Sequence, residues 1–139
     1  MKIFLAFFAV VAACGGSGTG GTGGNGATSF NTDVKPILTN GGCLGHHMTP
    51  AWDGVNALAS NAAIVNYLTT TKVGECNGGP SFVAPGNSAA SYIVQKLSAT
   101  FDASCGTHTG SQMPLGGAPL AASEIATVRA WIDEGALAN

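Results

Sequence analysis

From Asn31 onward the apolar residues recur at helical spacing and are interrupted by clusters of glycine, proline and small polar residues. Val34, Ile37 and Leu38 fall on one side of a short segment that Asn31, Thr32 and Asp33 can cap; Pro36 is tolerated because it falls in the first turn. Asn40, Gly41 and Gly42 predict the end of this helix, since glycine readily takes the left-handed conformation that closes one. That ending delivers Cys43 to His47 as a loop or a single turn. A second helix is predicted from a Ser60 cap to Leu68, with Ile64, Val65 and Leu68 as its buried side. A third, capped by Asn87 or Ser88, runs to Leu97 with Tyr92, Ile93 and Leu97 on one face. Ser123 is the predicted cap of the last and most periodic helix, Glu124 to Glu134, where Ile125, Val128 and Ile132 lie beside Trp131 and Gly135 ends the run. No stretch alternates over strand length, so the expected fold is all-α, about four short helices joined by long loops.

The chain ahead of this domain is of another kind. Met1 and Lys2 precede an apolar run from Ile3 to Ala13 that is too short to span a bilayer and reads as a secretory signal. Val11, Ala12, Ala13 and Cys14 fit the box in which small residues precede a cysteine that becomes lipidated and N-terminal. Gly15 stands where an Asp commonly retains bacterial lipoproteins in the inner membrane; the resemblance to such lipoproteins implies the periplasmic side of the envelope, at the outer membrane, as the expected address. Residues 14–29 then form a lipidated Cys and a Gly/Ser/Thr-rich tether without a side chain able to anchor a core. As a coil, Gly15 to Ser29 would have an end-to-end distance of roughly 20 Å. The expected organisation is a signal over 1–13, a tether over 14–29 and one domain over 30–139.

Charge narrows the function further. The formal net charge is −2, and without Lys2 four basic side chains face seven acidic ones. There is no basic run to neutralise phosphates, which excludes nucleic acid as a partner. A domain of about 110 residues buries a modest core, which a cofactor or cross-link would substantially reinforce.

The candidate chemistry is concentrated at Cys43-Leu44-Gly45-His46-His47-Met48. With His46→Cys this stretch would read C-x-x-C-H, the attachment signature of a c-type haem. In that signature two thiols add to the vinyl groups of haem and the adjacent histidine coordinates iron. Cys43 retains one thioether site and His47 the ligand; His46 stands in place of the second thiol. Met48 directly follows His47 and cannot serve the opposite face of the same iron. His108 has no such motif around it and reads as a loop residue.

Three further stretches accompany the motif. Phe30 and Asp33-Val34-Lys35-Pro36-Ile37-Leu38 lead to Cys43; Pro85-Gly86-Asn87 is followed by Ser91-Tyr92-Ile93-Val94-Gln95-Lys96-Leu97; and Gln112-Met113-Pro114-Leu115-Gly116-Gly117 precedes Glu124-Ile125-Ala126 and Arg129-Ala130-Trp131-Ile132. In this order and spacing, from Phe30 to Ala136, the chain resembles the small bacterial cytochrome c domains carried by lipoproteins and outer-membrane proteins. The resemblance implies a cytochrome c-like fold and haem c attached through a single thioether to Cys43. It also implies axial ligation by His47 and Met113, and electron transfer to a neighbouring redox protein with no chemistry on a substrate. A thioether ligand is soft, favours ferrous iron and raises the potential.

Two other readings stay open. Cys43, His46, His47 and Met48, joined by Met113, offer imidazole and soft sulfur suited to Cu(I), which makes copper binding without haem the first alternative. The second is a cofactor-free interaction module on the same lipoprotein. With Cys14 lipidated, Cys43, Cys76 and Cys105 remain, an odd count in an oxidising compartment. A Cys76 to Cys105 disulfide with a thioether on Cys43 accounts for all three and would stabilise by roughly 3 kcal/mol. A bridge from Cys43 to either of the others would exclude covalent haem.

Overall fold

Local capping chemistry and a shared apolar side build the observed helices. In the computed structural model, which describes residues 22–23, 26–44, 60–73, 79–100 and 111–139, the chain enters through a two-residue antiparallel ladder of β1 (Thr22–Gly23) and β2 (Ala27–Thr28). A π-helical turn, Phe30–Val34, follows and runs directly into α1, Lys35–Asn40, with Pro36 in the first turn of α1. Further along the chain come α2 (Asn61–Thr70), a 3-10 turn over Ser88–Ala90, α3 (Tyr92–Ser98) and α4 (Ala122–Asp133). The described residues are thus mainly helical.

The expected helices carry two differences, each with a physical cause. Ser60 caps α2 as expected, accepting from the Ala63 N–H at 3.2 Å, and Ile64, Val65 and Leu68 are buried. The third helix, by contrast, is broken. Asn87 caps the 3-10 turn, and Ser91 turns extended before α3 begins. The fully buried Ser91 hydroxyl donates to Asn87 O and accepts from the Ala84 N–H, both at 2.9 Å, which ties the preceding loop to the break. As a result Val94 joins Tyr92 and Leu97 in the interior while Ile93 is only half-buried. The last helix starts earlier than a Ser123 cap would allow: Ala121 occupies the cap position. Ala121 has no side-chain acceptor, but Glu124 reaches back to its N–H at 2.8 Å and so satisfies the helix start from the third position.

Further hydrogen bonds join the two ends of the described domain. Thr28 N–H donates to the Glu134 carboxylate at 2.6 Å, and the buried Ser29 donates through its hydroxyl to Asn139 O at 3.1 Å. Asn139 also accepts from the Phe30 N–H through Oδ1 and from the Asn31 N–H through its carbonyl, both at 2.9 Å. Asn139 thus clasps the residues that lead into the first helical turn.

The core lies between the N-terminal turn and α4. Trp131, 1% exposed, packs its ring 5.2 Å from that of Phe30, which is fully buried. Its indole N–H donates to Leu137 O at 2.8 Å, so this large side chain is both buried and polar-satisfied. Val34, Leu38, Leu44, Ile64, Leu97, Val128 and Ile132 complete the same cluster. Among the described residues no helix is long and apolar enough to cross a membrane.

Candidate functional site

Two stretches far apart in sequence come together at one cavity. The first is the end of α1. Gly41 N–H donates to Ile37 O and Gly42 N–H to Thr39 O, each at 2.9 Å, and Gly42 takes the left-handed conformation at φ 73°. This close turn re-aims the chain, and Cys43 and Leu44 are helical again, with Leu44 in the core. Gly41 sits close against its neighbours: a Cβ there would lie 3.2 Å from Ile37 O, 3.4 Å from the Leu120 side chain and 3.6 Å from Cys43 Sγ. Leu120 is thereby brought against the Cys43 turn.

The second stretch is the loop ahead of α4. Its start is pinned to the C-terminal end of α3, where helix carbonyls lack partners within the helix. Met113 N–H donates to Lys96 O at 3.0 Å, and Gln112 Nε2 donates to Leu97 O at 3.1 Å. The Met113–Pro114 peptide bond is cis, Gly117 N–H closes a turn onto Pro114 O at 3.2 Å, and Gly116 is left-handed at φ 71°. Met113 is half-buried and packs on the core cluster, while Leu115 stands 70% exposed on the rim.

Between these stretches lies a cavity of about 660 Å³, lined by Asn40, Gly41, Gly42 and Cys43 on the α1 side and by Met113 to Ala118, Leu120 and Glu124 on the other. That volume falls in the range of cofactor and small-molecule sites. Glu124 is the one charged residue among these lining residues, and its carboxylate is already engaged by the Ala121 N–H. Apart from Glu124 and the polar Asn40, these lining residues are small or apolar, and Cys43 and Met113 bring sulfur to them.

Cys43 carries a free thiol, which donates to Gly41 O at 3.9 Å. Burial pushes this thiol up from its ordinary value, against a smaller opposing pull from a backbone hydrogen bond. It is therefore a neutral thiol at neutral pH and not an activated nucleophile. Of the residues singled out by sequence, Cys43 and Met113 share this cavity. Cys14, His46, His47, Met48, Cys76, Cys105 and His108 lie outside the described residues. Among the described residues, no three His, Cys, Asp or Glu side chains group as a metal site.

The donor set at the cavity fits a haem in character: one unbridged thiol available for a thioether, one methionine sulfur, and walls of Pro114, Leu115, Ala118 and Leu120. Sequence reasoning missed Asn40, Leu120 and Glu124 as lining residues and gave Gln112 no role. The glutamine immediately before Met113 was the available signal, because it places a side-chain donor next to the residue whose position matters. Comparison with known proteins finds no matching family model, no matching curated protein and no matching solved structure.

Proposed function

We propose that the protein is a one-electron carrier: a cytochrome c-like domain tethered through a lipidated Cys14 to the periplasmic side of the outer membrane, and serving a neighbouring redox protein. The observation that carries this reading is that Cys43 and Met113, seventy positions apart, line one cavity of cofactor size. In this reading Cys43 would hold haem through a single thioether, and His47 and Met113 would ligate its iron. Bound haem supplies reversible one-electron chemistry at iron. The chain's own contribution is to hold and tune it. Met113 offers a soft thioether that favours the reduced state, and Leu120, Pro114 and Ala118 restrict water. The satisfied Glu124 leaves no unpaired hydrogen-bonding demand at its backbone contact.

The test is to produce the full chain in a bacterial host with working cytochrome maturation and to measure iron porphyrin in the purified protein. The expected result is a reduced-state α-band and haem that survives acid-acetone extraction. Cys43→Ala abolishes that covalent retention, and His46→Cys raises haem content. Protein free of porphyrin from such a host ends the proposal.

The sulfur pair at the cavity also favours a second reading, Cu(I) held by Cys43 and Met113 with His46 or His47. Metal analysis separates the two. Copper near one equivalent, lost in Cys43→Ala and in Met113→Ala, would select it over haem.

A further inference from the structure

Met113 has no intrinsic reason to sit at the cavity. It follows a segment, 111–112, without secondary structure of its own and precedes a glycine-containing turn. What fixes its backbone is a pair of hydrogen bonds onto α3: the Met113 N–H to Lys96 O at 3.0 Å and the Gln112 side-chain amide to Leu97 O at 3.1 Å. Adjacent loop residues thus take adjacent orphan carbonyls at a helix end, one through the backbone and one through a side chain. That arrangement fixes orientation as well as position, because a single bond would leave the loop free to pivot about it. The half-buried Gln112 reaches a helix terminus while the next residue turns into the cavity.

We infer that Gln112 is a positioning residue: it aims the Met113 thioether into the cavity by clamping the loop to the C-terminal end of α3. Its role toward iron rests on the haem reading, whereas its role toward the loop stands without it. Removing one hydrogen bond of ordinary net strength changes a local equilibrium about fivefold. In haem-loaded protein, Gln112→Ala therefore frees Met113 from iron about five times more often. Imidazole, which competes with the methionine for the sixth position, gains about fivefold in apparent affinity.

The experiment uses the purified full chain and reads two quantities. The first is imidazole affinity, followed by absorption in wild type, Gln112→Ala, Met113→Ala and the double variant. A positioning role predicts a fivefold gain in the presence of Met113 and no gain in the Met113→Ala background. Equal gains in both backgrounds, or none in either, overturn it. The second is native-state hydrogen exchange at the Met113 amide, read whatever the cofactor content. Protection falls about fivefold in Gln112→Ala and is restored in Gln112→Glu at a pH low enough to protonate the new carboxyl, whose O–H then donates to Leu97 O. Unchanged Met113 exchange overturns the inference. Lowered exchange protection in protein that takes up no haem upholds the clamp and removes the haem reading alone.

Discussion

At Cys43 the chemistry turns on whether the sulfur still carries its proton. Burial disfavours the thiolate in the folded chain relative to the unfolded one, so the folded thiol titrates above its ordinary range. The folded state then holds more protons than the unfolded state over that window, and stability falls as pH rises through it. In haem-free protein the Cys43 contribution is fully present below about pH 8 and is lost progressively above the ordinary thiol range. The check is the urea midpoint of wild type against Cys43→Ser across this range. Their difference is flat on the acid side and moves against wild type on the alkaline side. Haem-loaded protein shows no such drift, because a thioether has no proton to lose; a drift of equal size in both forms contradicts a thioether at this position.

Among the elements, α2 was fully legible because all of its determinants are local: Ser60 ahead of it, and Ile64, Val65 and Leu68 at helical spacing within it. The break ahead of α3 was not. Its geometry depends on Asp133 of α4, whose carboxylate accepts from the Ser88 N–H at 2.7 Å and the Ser88 hydroxyl at 2.9 Å, and on the buried Ser91. A serine is an equally good helix cap or helix interruption until its partners are known. The start of α4 was readable from Glu124, since an acid at the third position points to Ala121, but Ser123 offered the more familiar cap. At the site, the Gly41-Gly42 turn was legible and its contact with Leu120 was not, because no local pattern joins residues 41 and 120. The Ser91 break yields its own prediction. Ser91→Ala leaves the Ala84 N–H without its acceptor and costs about 2 kcal/mol in chemical denaturation. Ser60→Ala costs about 1 kcal/mol, because an exposed cap is replaced by water more easily than a buried one.

For the whole molecule, the pairing of Phe30 with Trp131 joins the entry turn to the last helix, and the Asn139 clasp reinforces the same seam. Trp131→Ala removes the largest buried side chain and its bond to Leu137, and is expected to cost about 4 kcal/mol, measured as a lowered denaturant midpoint with an unchanged slope. The same seam sets a direction. Glu134 and Asn139 hold the incoming segment at the far end of α4, whereas Glu124, in the first turn of that helix, borders the cavity. The two glutamates are ten positions apart, about 15 Å along the helix axis. The contacts that receive the incoming segment and the sulfur-bearing mouth of the cavity thus lie towards opposite ends of α4, so one can be altered without touching the other.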